Sequence, residues 1–129
     1  MVTRAPIALL LCLVPCLAMA QPPEVSELMK RDLPDVPGRE VEVLRVEYPP
    51  GGADPIHRHD AYAFVYVLEG SVVMQVKGKD AVTLKAGETF YEGPDDIHVV
   101  GRNASSSQPA KFVVVLVKKK GTPALIPLE

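Results

Sequence analysis

Three histidines, His57, His59 and His98, are all that the chain of 129 residues contains, and two of them stand two positions apart. Side chains two apart in an extended strand point to the same face, so His57 and His59 can direct both imidazoles at one point. Imidazole is a ligand for Zn, Cu, Fe and Ni ions. The pair therefore predicts a metal chelate, which His98 on a later strand would extend to three nitrogens. The alternative is two exposed loop histidines beside one buried structural histidine.

The histidine pair lies between a turn and a long apolar stretch. Residues 49–52 read Pro-Pro-Gly-Gly, which is typical of a turn, and residues 61–70 follow as a strand that ends in a turn. Small and branched residues at odd positions share the histidine face, and larger residues at even positions take the other face. Both faces are apolar, so we expect this strand to be buried on both sides.

Other short alternating stretches follow the same pattern along the chain. Strands are predicted over residues 41–48, 72–77, 81–84, 89–92, 97–100 and 111–117, with turn residues between them. In the first of these the apolar phase slips between Val43 and Leu44, which indicates a bulge or a partly two-sided strand. Short strands with almost no helix predict an all-β barrel or sandwich.

The first twenty residues are predicted to be a signal peptide. Arg4 forms a short basic start, residues 7–17 are apolar but too short to span a bilayer, and residues 18–20 read Ala-Met-Ala. We expect cleavage after Ala20 and an exported protein, periplasmic or secreted. No membrane association is expected after cleavage.

Both cysteines, Cys12 and Cys16, fall within that leader, so no disulfide is expected in the exported domain. A lipid anchor on Cys16 is the alternative, although the preceding Pro15 disfavours it. The net charge of −2 gives no indication of nucleic-acid binding.

The rest of the chain divides into three segments. An N-terminal arm, residues 21–40, carries one predicted helix over Val25 to Leu33, which Pro34 ends. A barrel is predicted over residues 41–120 and an extended tail over residues 121–129. The lysine run 118–120 closes the last strand and is interpreted as a solvated strand end rather than a patch for an anionic surface.

Two stretches resemble the motifs of the cupin superfamily, and the whole chain is similar to small exported single-domain cupins of the type-2 kind. The first is Gly51-x5-His57-x-His59-x3-Ala63-x6-Gly70, and the second is Gly87-x5-Gly93-x-Asp95-x2-His98. The resemblance covers residues 51 to about 103. It implies a double-stranded β-helix, or jelly-roll cupin barrel, with a short N-terminal arm or helix, a metal bound in the mouth of the barrel, and a homodimer.

One departure from the first motif concerns the metal. Cupins usually carry a glutamate where this chain has Ala63, which lies on the histidine face, so the fourth ligand position is expected to be missing. Asp60 falls on the opposite phase and is not expected to replace it. Glu92, Asp95 and Asp96 are interpreted as exposed turn residues. The expectation is one divalent ion, Zn, Cu, Fe, Ni or Mn, held by the three histidines.

Three functions remain open at this point. The first is a metal-binding cupin that holds a small molecule in the barrel, with Met74 and Phe90 lining the pocket. The second, implied by the resemblance, is a three-histidine non-haem metal dioxygenase or an isomerase acting on a small oxygenated or thiol substrate. The third is a metal-free dimeric binding scaffold. No catalytic residue is assigned.

Overall fold

The computed structural model describes residues 21–129 and contains only strands and turns. The predicted leader, with Cys12 and Cys16, lies outside the described residues. In chain order the strands are β1 Glu24–Asp32, β2 Arg39–Tyr48, β3 His57–Arg58, β4 Ala61–Glu69, β5 Ser71–Val76, β6 Val82–Lys85, β7 Thr89–Glu92, β8 His98–Asn103, β9 Ala110–Lys119 and β10 Ile126–Pro127. Over residues 21–129 there is accordingly no helix of the length and apolarity needed to cross a bilayer.

The strands form two five-stranded antiparallel sheets. Sheet A has the order β1-β2-β9-β4-β7, and sheet B has the order β10-β3-β8-β5-β6. Alternate residues of the strands point between the sheets and form a core of mostly branched aliphatic side chains, with Tyr48, Met74 and Phe112 among them. The predicted all-β fold, a double-stranded β-helix, is confirmed.

The predicted helix over Val25 to Leu33 is wrong, because these residues form β1. This strand pairs with β2 from Glu24 opposite Glu47 to Asp32 opposite Glu40, with one bulge between Glu27 and Met29. The open edge of β2 offers a full row of backbone partners. That gain from long-range pairing outweighs the weak local helix preference of a nine-residue segment.

Strand β4 is buried on one face only, so the expectation of burial on both sides is wrong. Ala61, Ala63 and Val67 are fully buried, whereas Phe64 and Tyr66 on the other face are each 49% exposed. Within residues 21–129 no second layer covers the outer face of sheet A. The apolar residues at the even positions of β4 therefore form an exposed face of sheet A rather than a second side of the core.

Strand β2 pairs with β9 without a bulge, and its apolar pattern slips because the strand is partly two-sided, with Val41 and Val43 on the outer face partly buried. Glu40 and Glu42 point inward in line with Leu44 and are buried. They face Lys118, whose Nζ lies 2.5 Å from Glu40 Oε1 and 3.1 Å from Glu42 Oε2. Lys118 is only 1% exposed, so the interpretation of all three lysines as a solvated strand end is wrong for this residue.

Candidate metal centre

Two strand pairings bring the candidate ligands together. His57 of β3 lies opposite His98 of β8, and Glu92 of β7 lies opposite Ala63 of β4. His59 follows β3 and returns to the same side as His57. One ligand atom from each of His57, His59, Glu92 and His98 lies within 4.8 Å of the others. All three sequence-predicted histidines therefore meet, together with a carboxylate.

Glu92 corrects the expectation that the fourth ligand position is missing. Ala63 faces inward and is fully buried, as expected, but the glutamate directly opposite it is only 2% exposed and points into the histidine group. The small alanine side chain leaves room for the longer one from the neighbouring strand. Glu92 was expected to be an exposed turn residue, and its burial shows that this expectation is wrong.

Two other nearby acids, Asp60 and Asp96, take no part in the group. Asp60 pairs with Arg58 at 2.9 Å, and Asp96 accepts a hydrogen bond from the Gly93 amide at 2.8 Å as a turn residue does. The pairing of Ala63 with Glu92 is a matter of strand register, so a single sequence contains no direct signal for it. The available hint was the inward phase of Glu92 at the end of a short strand.

The orientation of two imidazoles shows that the group fits a cation. His57 Nδ1 donates to the Pro55 carbonyl at 2.8 Å, and His59 Nδ1 donates to the Ala124 carbonyl at 2.6 Å. A carbonyl only accepts, so each Nδ1 carries a proton and each Nε2 of a neutral ring is an acceptor. The two Nε2 atoms lie 3.1 Å apart. Two acceptors facing each other at this distance need a proton or a metal ion between them.

The remaining two side chains, Glu92 and His98, bring further ligand atoms to the group, and His98 Nδ1 lies 3.3 Å from His57 Nε2. Glu92 Oε2 lies 3.3 Å from His59 Nε2, and His98 Nδ1 lies 3.2 Å from Glu92 Oε1 in a poor hydrogen-bond geometry. Glu92 Oε1 and His98 Nε2 are buried without a hydrogen-bond partner among the described residues. Unpaired buried polar atoms are costly, and adjacent ligands about 2.1 Å from a divalent ion are roughly 3 Å apart. The residues present therefore fit a metal ion.

Burial and mutual charge set the protonation of the group. Burial lowers the pKa of His57 and of His98, which favours neutral rings. Burial alone would raise the pKa of Glu92, but the histidines outweigh it and the pKa lies below its ordinary value. Burial would likewise lower the pKa of His59, yet Glu92 and the Ala124 carbonyl raise it overall. His59 is thus the ring that a proton occupies most readily.

The histidine group opens into a cavity of about 90 Å³ between the sheets. Met74 lines it, as expected, and its side chain is 1% exposed. Phe90 does not line this cavity; its ring centroid lies 6.1 Å from that of His98, and its side chain packs against the edge of the core. The other apolar residues of the wall are mostly aliphatic: Val25, Leu44, Val46, Val65, Phe112, Val114, Ala124 and Leu125.

Tyr48 and Asp54 also line the cavity, and neither residue is predicted from the sequence to be part of the site. The Tyr48 hydroxyl donates to Asp54 Oδ2 in a short hydrogen bond, and Tyr48 is fully buried. Burial raises the pKa of Asp54, and burial together with Asp54 raises the pKa of Tyr48. The pair therefore places a proton donor beside the candidate metal ligands. Its only sequence signal was the position of Asp54 three residues before His57.

Comparison with known proteins agrees with the fold. The family model described as "Cupin domain" matches residues 44–116, which is more than half of the chain. No match was found among curated proteins.

Three solved structures illustrate the similarity. An oxalate oxidase in complex with the substrate analogue glycolate is 25% identical, with a TM-score of 0.62, over 81% of this chain and 54% of its own. A cupin domain from Bordetella pertussis Tohama I is 22% identical, with a TM-score of 0.60, over 78% and 97%. A DMSP lyase from Ruegeria pomeroyi is 20% identical, with a TM-score of 0.59, over 67% and 42%. The chain thus spans about half the length of the oxidase and lyase chains.

Proposed function

The chain belongs to the cupin family, and from this premise we propose that it holds one divalent metal ion and binds a small molecule beside it. The ligands would be His57, His59, Glu92 and His98. The observation that carries the proposal is the pair of Nε2 acceptors of His57 and His59, which face each other at 3.1 Å. When bound, the metal would supply Lewis-acid chemistry to an oxygen atom of the bound molecule.

Charge and size define the class of ligand. Three neutral imidazoles and one carboxylate leave a divalent ion with one positive charge, which favours an anionic or oxygen-donor ligand. The cavity of about 90 Å³ is smaller than the roughly 150 Å³ cavity that accepts benzene in another protein. A small carboxylic acid with a short apolar part fits both the charge and the mostly aliphatic wall.

The test is a calorimetric titration of metal-free protein with Mn²⁺ and with Zn²⁺. We expect one ion per chain, and an affinity at least tenfold lower in Glu92→Gln. Asp60→Asn is the matched control, since Asp60 is a nearby carboxylate paired with Arg58 outside the group. Absence of binding to the unmodified protein would contradict the proposal and favour the metal-free scaffold.

Tyr48 and Asp54 favour a second candidate function, an enzyme acting on a small acid. Their hydrogen-bonded pair lines the same cavity as the candidate metal ligands, so a proton donor and acceptor would lie near a bound substrate. The similarity to an oxalate oxidase makes small di- and hydroxycarboxylic acids, with oxygen as oxidant, the first substrates to examine. The dioxygenase or isomerase considered from the sequence had three histidine ligands. With Glu92 of β7, the site of such an enzyme would have three histidines and one carboxylate.

The enzyme candidate is tested by oxygen consumption and product analysis with metal-loaded protein. Turnover that falls about a hundredfold or more in Tyr48→Phe, with unchanged metal affinity, would support a proton-transfer role. If none of the small di- and hydroxycarboxylic acids were turned over, the enzyme candidate would be contradicted and the binding function favoured.

Export is part of the same proposal. The basic start, the short apolar core and the Ala-Met-Ala sequence at residues 18–20 support it. The mass of protein recovered from the periplasm or medium tests it, since cleavage after Ala20 predicts a chain that begins at Gln21. Full-length protein retained in the cytoplasm would contradict it.

A further inference from the structure

We propose that the C-terminal strap, residues 121–128, is a working part of the candidate metal site: it fixes the orientation of His59 and closes the cavity. This inference rests on the proposed metal-binding function. It assigns to the tail a role that neither the family motifs, which end near residue 103, nor the matched family model, which ends at residue 116, includes.

The strap crosses from one sheet to the other over the mouth of the barrel. It leaves the end of β9 in sheet A and finishes as β10 in sheet B, where Ile126 lies opposite Arg58 and Pro127 lies opposite His57. The Leu128 amide then donates to the Ile56 carbonyl at 2.9 Å. The far end of the strap is therefore paired with the two-residue strand that carries the first histidine.

The middle of the strap holds His59. The ring Nδ1 donates to the Ala124 carbonyl at 2.6 Å, a contact between residues 65 positions apart. His57 and His98 lie on paired strands, and His57 donates a hydrogen bond to the carbonyl of Pro55, two residues away. His59 lies just beyond β3 and has no such local support. Its ring orientation depends on the strap, and partners of this kind commonly change metal affinity 10- to 100-fold.

A buried ion group anchors the near end of the strap. Lys118 Nζ donates to the Thr122 carbonyl at 2.6 Å as well as to Glu40, and the Gly121 amide donates to Glu40 Oε1 at 3.1 Å. A buried charge needs its hydrogen bonds satisfied, and the strap supplies one acceptor and one donor to this group. The inward charges that disturbed the apolar pattern of β2 thus have a function in fixing the strap.

The strap also supplies part of the cavity wall. Ala124 and Leu125 both line the cavity, and Ala124 packs against the core. Residues 122, 124, 125, 126 and 128 are each partly buried, so the strap lies against the barrel. A strap that is held less firmly would admit water and larger ligands beside the metal ligands.

The test loosens the strap in the full chain with Pro123→Gly and Pro127→Gly, neither of which removes the Ala124 carbonyl that His59 contacts. We expect Mn²⁺ and Zn²⁺ affinity to fall about 2- to 10-fold because each glycine adds freedom to the strap. The matched control is Pro22→Gly with Pro23→Gly in the N-terminal segment before β1, which should leave metal affinity unchanged. A stop codon at position 122 removes most of the strap, and we expect it to lower metal affinity about 10- to 100-fold.

A double-mutant cycle separates positioning from general stability. In a His59→Ala background the loosened strap should cost much less metal affinity than in the unmodified chain, because most of its effect passes through that ring. An equal loss in both backgrounds, or no loss in either, would overturn the inference. Failure of the unmodified chain to bind metal would instead overturn the proposed function. A thermal melt of each variant confirms that the barrel is folded in every comparison.

Discussion

At the scale of single residues, the carboxylate of the site comes from β7 and not from position 63 of β4, where the cupin motif has it. The resemblance to cupin motifs placed a glutamate at position 63, where the chain has alanine, and the structure finds the glutamate at position 92 directly opposite. The histidines were predictable because their spacing is local and follows strand alternation. The glutamate was not, since only the register between β4 and β7 puts it in reach.

Moving the carboxylate back tests this account. Glu92→Ala should lower metal affinity at least tenfold, and Ala63→Glu alone should destabilise the fold by about 1–3 kcal/mol, since it crowds a second buried carboxylate against the first. The double variant should recover most of the metal affinity, because one carboxylate again faces the histidines. Titration with Mn²⁺ and thermal melts measure both effects. If the double variant bound metal no more tightly than Glu92→Ala, the idea that a carboxylate at position 63 can replace Glu92 would be contradicted.

The proton on His59 predicts how metal binding depends on pH. The pKa of His59 lies above its ordinary value of 6.5, so this ring gains a proton first as the pH falls. A metal ion must displace that proton, and affinity should fall by about tenfold per pH unit below the His59 pKa. Calorimetric titrations from pH 8 to pH 6 measure this.

Glu92→Gln provides the comparison for the pH dependence. Loss of the carboxylate removes an interaction that raises the pKa of His59, so the pH at which metal affinity begins to fall should be lower in this variant. Metal affinity that stays constant between pH 8 and pH 6 in the unmodified protein would contradict the assignment.

At the scale of elements, most strands were predictable and their partners were not. Alternation located β2, β4, β5, β7 and β9 to within a few residues, because each has one face in the core. β1 was mistaken for a helix since its stability comes from the edge of β2, which lies outside the segment. The buried ion group of Glu40, Glu42 and Lys118 could not be predicted for the same reason. These charged residues face inward because each finds its counter-charge on a strand that is distant in sequence.

Gly101 on β8 is an element-level constraint on the site. A Cβ at this position would lie 3.0 Å from His98 Cε1 and 3.1 Å from the Tyr48 hydroxyl. We expect Gly101→Ala to displace both side chains, to destabilise the fold by about 1–3 kcal/mol and to weaken metal binding. Gly93→Ala is the control, because its nearest side-chain neighbour would lie at an ordinary 3.4 Å. Chemical denaturation and metal titration measure the two effects, and a neutral Gly101→Ala would contradict the close approach.

At the scale of the whole molecule, the outer face of sheet A is more apolar than one chain requires. Tyr62, Phe64, Tyr66, Leu68 and Tyr91 are each between 43% and 49% exposed on it. Contiguous apolar surface of this kind marks an interaction site more often than free surface. We propose a homodimer through this face, on the side of β4 opposite the candidate metal site.

The dimer is tested with side chains that do not contact the site. Phe64→Lys with Tyr66→Lys should give a monomer, since two desolvated charges on each chain would oppose pairing. Metal affinity should stay within about twofold of the unmodified value, because these residues face away from the histidines. Sedimentation equilibrium gives the mass of each protein. A mass of one chain for the unmodified protein would contradict the dimer.

The most direct test of the account is anomalous diffraction from crystals grown with Mn²⁺ or Zn²⁺. We predict one peak per chain, about 2.0–2.3 Å from one nitrogen of each of His57, His59 and His98 and from a Glu92 oxygen. A crystal without a peak in this cavity would contradict the metal site. A peak held by the histidines alone, with Glu92 turned away, would contradict the role of the β7 carboxylate.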